Sequence, residues 1–340
     1  MLAVVVHGAG DLRLEEREPV EPGPGEVQLA VAYVGICGSD LHYYRNGRVG
    51  AFEVVEPLVV GHEMSGTVVR DGDGVLAPGT PVTLHPATPG TPEPAILDRP
   101  SIWPGSRYLG SAATLPHTQG AAQSLVTVRT DQVRVLPDGL GLRTAALAEP
   151  LGVGLHAIRR AGGVAGRRVL VSGAGPVGLL AAGAAVALGA EVTVSDVLAH
   201  PLGLALRLGV DSVVDLTSAE PTPEGYDVVL ECAGVPAALD TAVRSVRRGG
   251  VVVAVGMLPA QARPYTLAAL VAREIDLRGS FRFDDEIDQA VELLAAHPSL
   301  ASVVTDVFPA REAVAAFDRA VDPAVSSKVL LDLRAEEGPA

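Results

Sequence analysis

Residues 169–197 read VLVSGAGPVGLLAAGAAVALGAEVTVSDV. The first 22 positions carry no charge, long enough for a bilayer span if they formed one helix. Five glycines, a proline and a change of period midway argue otherwise. The run divides into a buried strand, a glycine turn and a buried helix, and EVTVSDV is the next strand. Inside it GAGPVG, residues 173–178, fits G-x-G-x-x-G with a strand before and a helix after. That context makes the motif informative. Gly173 allows the tight turn, Gly175 lets the backbone approach a pyrophosphate, and Gly178 lets the helix pack closely on the strand. Pro176 and Val177 open the helix, whose N-terminus favours an anion. Asp196 ends the second strand, 23 residues after Gly173. An acid there binds a ribose 2′-hydroxyl and repels a 2′-phosphate. The following VLAHP brings no Arg or Lys, so NAD is expected over NADP.

Outward from this turn, strands and helices alternate: DSVVD and YDVVLECAG are strands, PAALDTAVRSVRRG a helix, GVVVAVG and EIDLRGSF strands. Such alternation indicates a parallel sheet with right-handed crossovers. Upstream, short strands such as LAVVVHG and EVQLAVAYVGI are separated by the turn-rich PVEPGPGE. Residues 86–120, rich in proline and glycine, read as a long loop or lobe. Past residue 283 come two amphipathic helices and a closing strand KVLLDL. The expected fold class is α/β, with a strand-rich domain at 1–148, a doubly wound parallel-sheet domain at 149–282, and a tail at 283–340 packing back on the first.

Composition sets limits. Of 340 residues, 48% are hydrophobic and 19% charged, which is globular rather than disordered. The formal charge of −14 repels phosphate backbones, so nucleic acid is not an expected partner. Two cysteines, Cys37 and Cys232, are too few for a disulfide framework and read as reduced thiols of a cytoplasmic protein. The start MLAVVVHGAG shows no basic leader, and no membrane segment is expected.

Cys37 in GICGSDLHYYRNG stands 25 residues before the neighbours His62 and Glu63 of GHEMSG. Singly these residues read as a buried thiol, a packed histidine and a surface charge. Together, near a dinucleotide site, they shift the reading toward a metal site: zinc takes thiolate, imidazole and carboxylate ligands, and a catalytic zinc keeps one position open. A further carboxylate, Glu149 in AEPLGVGLHA, lies at the junction into the α/β part.

GICGSDLHYY, GHEMSG, AEPLGVGLHA and GAGPVG, in this order and spacing, resemble the zinc-dependent medium-chain alcohol and polyol dehydrogenases over roughly residues 2–333. The resemblance implies a GroES-like catalytic domain and a Rossmann NAD-binding domain. It makes Cys37 and His62 ligands of the catalytic zinc, with Glu63 and Glu149 completing the set. It implies a homodimer or homotetramer. RYLGSAATLPHTQGA and LRGSFRF are most similar to the L-idonate 5-dehydrogenase branch. That similarity implies oxidation of a sugar acid, L-idonate to 5-keto-D-gluconate. A polyol dehydrogenase of the sorbitol or xylitol type is the alternative, and a zinc-free or catalytically silent NAD-binding protein is the rival from another class. Many relatives carry four cysteines for a structural zinc in the lobe; TPGTPEPAILDRPSIWPGS has none. One catalytic zinc and no structural zinc are therefore expected, with the lobe ordered by its prolines, by Ile96, Leu97, Ile102 and Trp103, or by a subunit contact.

The resemblance also assigns roles around the zinc. Ser39 passes the alcohol proton toward the cofactor ribose and His42, which hands it to solvent. Val255, Gly256 and Met257 lie beside the nicotinamide. Tyr43 and Arg282 line the substrate pocket, and Arg45 and His117 are further candidates. A guanidinium suits an aldonate carboxylate because it can bind it through two hydrogen bonds.

Overall fold

The computed structural model describes residues 1–258 and 268–334. The chain divides into two compact units. One comprises residues 1–149, 304–322 and 328–340; the other comprises 150–303 and 323–327. The expected tail therefore splits. Its closing strands join the first unit, whereas the helix Ile287–Ala296 and the turn after it belong to the second. Periodicity marks a helix as amphipathic but not which core takes its apolar face. Here Leu300 explains the assignment: a Cβ on Gly183, inside the second unit's helix Pro176–Ala187, would lie 2.5 Å from its side chain.

The first unit is built on a seven-stranded, mostly antiparallel sheet. Its middle strand, Glu26–Gly35, pairs with Glu63–Asp71 on one side and with the closing strand Lys328–Asp332 on the other. Leu125–Arg129 also pairs with it. The registers put Gly35 opposite Glu63 and opposite Leu330. Three distant stretches thus meet where the middle strand ends and Cys37 follows. Apolar residues from the middle strand and its partners, with Phe317 of the helix Ala313–Ala320, form one continuous core.

The proline-rich lobe is held by hydrogen bonds more than by burial. Ala87–Thr88 pairs with Arg107–Tyr108. Trp103 Nε1 donates to Ile96 O at 2.8 Å, and Thr91 N donates to Pro104 O at 2.9 Å. Leu97 and Ile102, expected to pack, are exposed.

The second unit is a six-stranded parallel sheet in the order Ser212–Asp215, Glu191–Asp196, Arg168–Ser172, Tyr226–Glu231, Val246–Ala254, Asp276–Gly279. The order reverses between Arg168–Ser172 and Tyr226–Glu231, the switch point where open α/β sheets bind ligands. The stretch VRRG, read from sequence as the end of a helix, is strand: the helix stops at Ser245 and the strand starts at Val246. A β-branched residue at that boundary favours the extended backbone. No described helix is long and apolar enough to cross a membrane. The apolar run beginning at Val169 is a strand, a turn and the helix Pro176–Ala187.

Candidate active site

Cys37 caps the N-terminus of the short helix Gly38–Asn46. The helix is oriented by Asp40, a buried carboxylate three residues on. Asp40 Oδ2 accepts from Cys37 N at 3.0 Å, and Oδ1 accepts from Gly61 N at 3.1 Å. One carboxylate thus ties Cys37 to the residue before His62. Burial pushes its pKa up, against the opposing pull of His62 and of the two N–H bonds.

The ligand atoms of Cys37, His62 and Glu63 lie within 4.8 Å of one another. Glu63 needs a glycine opposite: a Cβ on Gly35 would lie 2.0 Å from Glu63 Oε2. That close approach explains the glycine ahead of the Ile36–Cys37 step. His62 Nδ1 is buried and has no hydrogen-bond partner among the described residues. Burial by itself would depress the His62 pKa, but Cys37, then Glu149 and Asp40, hold it up to about 10. The anionic neighbours make this pocket one that favours a cation. Its donors are sulfur, imidazole nitrogen and carboxylate oxygen, the set zinc takes.

Neither glutamate stands free. Glu63 takes the ammonium of Lys328 on both oxygens, at 2.7 and 2.6 Å, and Lys328 Nζ also donates to Ile36 O at 3.1 Å. Lys328 is 2% exposed and Glu63 1%. Burial would lower the lysine pKa, yet the Glu63 and Cys37 charges raise it above its ordinary value. Glu149 opens the helix Ala148–Arg160 and accepts from the Tyr108 hydroxyl. Its pKa is raised by burial, against the pull of His62. The Tyr108 ring meets the His62 ring edge-on, with centroids 5.4 Å apart.

Asp40, Tyr108 and Lys328 were not singled out in the sequence. A lysine opening the apolar strand KVLLD was the available signal for the last, since an ammonium that deep needs an anion.

The other expected residues fall in different settings. Ser39 lies part-buried in the first turn of the cysteine helix. His42 is exposed on the same helix, its Nδ1 3.2 Å from Asn46 Nδ2. Tyr43 is a core residue, 2% exposed, whose hydroxyl accepts from Ala112 N at 3.0 Å. Arg45 is exposed in the last turn of that helix, where a cation favours the helix dipole. His117 is a clamp: Nε2 accepts from Val55 N at 3.1 Å, Nδ1 donates to Thr114 O at 2.8 Å, and its backbone N donates to Glu56. With both ring nitrogens engaged it holds two segments together rather than presenting a free donor.

In the second unit, a Cβ on Gly178 would lie 2.0 Å from Gly173 O, whereas a Cβ on Gly175 would point into open space. The first glycine permits helix–strand packing and the second leaves the approach a phosphate needs. Asp196 Oδ2 accepts from Ala174 N at 2.7 Å and Oδ1 from Leu198 N at 3.0 Å, so it braces the turn. Each oxygen keeps lone-pair capacity for a ribose hydroxyl. Met257 is exposed after the strand Val246–Ala254. Cys232 is a thiol whose pKa burial pushes up, which suits packing rather than attack.

Arg282 has a left-handed backbone, φ 53°, and its guanidinium carbon stacks 4.8 Å above the Phe281 ring. Phe283 is buried beside Gly152, where a Cβ would sit 3.2 Å from the ring. After it, His156, Asp284 and Glu286 bring ligand-type atoms within 4.8 Å of each other. This cluster already has its cation. Arg159 Nε reaches Glu286 Oε1 at 2.8 Å, a second guanidinium nitrogen reaches Asp284, and His156 Nδ1 lies 2.9 Å from Glu286 Oε1. It is an ion network fastening the turn after Arg282 to the helix Ala148–Arg160.

Metal uptake tests the first cluster directly. Because His62 keeps a proton up to about pH 10, zinc must expel it. Zinc added to apoprotein in weak buffer near pH 7.5 is expected to release at least one proton per ion, read with a pH indicator. Affinity should fall about tenfold per pH unit downward for each proton displaced. Uptake without proton release would remove His62 from the ligand set.

Comparison with known proteins adds to this geometry. The family profile described as alcohol dehydrogenase GroES-like domain matches residues 23–138, and the one described as zinc-binding dehydrogenase matches residues 176–296. A sorbitol dehydrogenase of Gallus gallus is 39% identical over 332 residues, covering 93% of this chain and 92% of that protein. One of Bos taurus is 38% identical over the same length and with the same coverage. The crystal structure of L-idonate 5-dehydrogenase from Escherichia coli superposes with a TM-score of 0.90 at 33% identity, covering 97% of both chains.

Proposed function

The chain belongs to the zinc-dependent medium-chain alcohol and polyol dehydrogenases, and on that premise we propose that it oxidises a secondary alcohol of a sugar acid, of the L-idonate type, with NAD as acceptor. The observation that carries the chemistry is the set of part-buried Cys37 with buried His62 and Glu63, ligand atoms within 4.8 Å of one another, on a chain that also carries the GAGPVG turn. The sugar-acid reading is supported by the likeness to the L-idonate 5-dehydrogenase structure. The higher identity to sorbitol dehydrogenases favours a second reading, a polyol substrate.

Zinc bound there supplies Lewis acidity to the substrate oxygen, lowering the pKa of the alcohol. The nicotinamide supplies the hydride acceptor. The protein's own residues do the rest. Cys37 and His62 hold the metal, with Glu63 or Glu149 as the carboxylate partner. Asp40 fixes the first two relative to each other. Ser39 Oγ takes the alcohol proton toward His42, whose exposed ring returns it to water. Arg282 is the group for a substrate carboxylate or hydroxyl, its guanidinium oriented by the Phe281 ring. The GAGPVG turn and Asp196 hold the adenosine half of NAD.

Purified protein of measured zinc content, assayed for NADH formation on L-idonate, sorbitol, D-gluconate and L-threonine, tests the reading. Turnover chiefly on L-idonate supports it. Zinc-dependent turnover chiefly on sorbitol moves the substrate to the polyols, and turnover that persists after zinc removal overturns the mechanism. For the cofactor, Asp196→Ala is expected to weaken NAD roughly tenfold more than NADP, the scale of a hydrogen bond to a charged group. Because Asp196 also braces Ala174 N, both affinities should fall, and the ratio is the readout. An unchanged ratio of the two KM values would remove its ribose role.

A further inference from the structure

Among the buried side-chain oxygens of the second unit that have no hydrogen-bond partner among the described residues are Ser195 Oγ, Ser172 Oγ and Glu231 Oε2. These three stand on adjacent strands. Ser172 is in register with Ser195 on one neighbouring strand and with Glu231 on the other. Partnered residues of parallel strands share a face, so the three form one polar row across the sheet. All three are 0% exposed. The row spans the switch point between Arg168–Ser172 and Tyr226–Glu231. Unsatisfied buried polar groups cost stability, and a row of three calls for an explanation.

The remaining oxygens of Glu231 are fully engaged. Its Oε1 accepts from Ala233 N at 2.9 Å and from Gly234 N at 2.8 Å. Its backbone oxygen accepts from Val255 N at 2.8 Å and Gly256 N at 2.9 Å. One residue therefore holds the loops that leave two adjacent strands. Those loops touch: a Cβ on Gly256 would lie 2.2 Å from Gly234 N. The first loop also abuts the glycine turn, where a Cβ on Gly173 would lie 2.7 Å from Ala233 N. The serines take part through their backbones, Ser195 O accepting from Gly173 N and Ser172 O from Cys232 N, both at 2.8 Å.

We propose that Glu231 is a positioning residue for the nicotinamide half of the dinucleotide, setting the spacing between the Ala233–Gly234 loop and the Val255–Met257 loop. This rests on the reading of the second unit as the NAD site. The adenosine half depends instead on residues 173–178 and Asp196, which Glu231 does not bond. A side chain with an acceptor oxygen at the Oε1 position keeps the Ala233–Gly234 loop in place, and one without it releases that loop from the Val255–Met257 loop, which the backbone oxygen still holds.

The test measures Kd of zinc-loaded, full-length protein for NADH by fluorescence and for ADP-ribose by calorimetry. Glu231→Ala is expected to weaken NADH about tenfold or more, the loss of two hydrogen bonds, while ADP-ribose stays within about twofold. Glu231→Gln, which keeps an acceptor oxygen, is expected to restore NADH affinity. Equal losses for NADH and ADP-ribose, or no loss for NADH, overturn the proposal. If Glu231→Ala does not fold, Gly234→Ala moves the same loop, because Gly234 has φ +68° and a Cβ there would lie 3.0 Å from Met257 O. The same selective loss is expected there, and an unselective one counts against the proposal. Failure of the unmodified protein to bind either ligand would overturn the NAD reading itself, and it is seen before any variant is made.

Discussion

Cys37→Ser is expected to leave a folded protein that binds NADH with unchanged affinity, carries little zinc and turns over at least about a thousandfold more slowly. The magnitude follows from the metal's role: charge stabilisation of several kcal/mol, at 1.36 kcal/mol per tenfold. Folding should survive because the cysteine helix is oriented by Asp40 through the Cys37 backbone N–H, which serine retains. Cys37 is also only part-buried, so the core loses little. Nucleotide affinity should survive because the GAGPVG turn and Asp196 belong to a separate unit. Metal analysis, NADH fluorescence and steady-state rates on one preparation decide it. A variant that keeps its zinc and its rate would show that Cys37 is not a ligand.

Lys328→Met is expected to destabilise the first unit by about 3–5 kcal/mol, the loss found when one partner of a buried ion pair is removed. The lysine is 2% exposed, and its ammonium is the only hydrogen-bond donor shown to the Glu63 carboxylate among the described residues. Without it Glu63 is left as a buried anion beside Cys37 and Glu149. Changing both partners, Lys328→Met with Glu63→Gln, should recover much of the loss, because no uncompensated charge remains. Denaturant unfolding of the two single variants and the double variant gives the coupling energy. Additive losses would mean that the pair acts as two independent residues.

These two residues also mark the limit of what was legible beforehand. The glycine turn, the acid at Asp196 and the strand–helix alternation are local patterns, and they specified the parallel sheet. Cys37, His62 and Glu63 were legible because their side-chain types suit one metal and two of them adjoin. Lys328 was not, because only the register of the middle strand brings it to Glu63, 265 residues away. Tyr108 was hidden in a proline-rich lobe without periodicity, and its role depends on the pairing of Arg107–Tyr108 with Ala87–Thr88. The helix Ile287–Ala296 was recognised but given to the wrong unit, since an amphipathic pattern specifies a buried face and not its partner. His117 looked like a pocket residue by resemblance. Its three hydrogen bonds to neighbouring segments appear only once residues 54–57 and 114–117 are brought together.

The strand that begins with Lys328 has a consequence in time. During synthesis the Glu63 carboxylate emerges 265 residues before the ammonium that neutralises it. At about 5–20 residues per second, that interval is roughly 13–53 s. Throughout it the ribosome is still producing the second unit, which can fold while residues 33–35 of the first unit's middle strand wait for their partner strand. The metal-side pocket is thus among the last parts of the molecule to close. A nascent chain interrupted before residue 328 would hold Cys37, His62 and Glu63 but not the lysine that balances them.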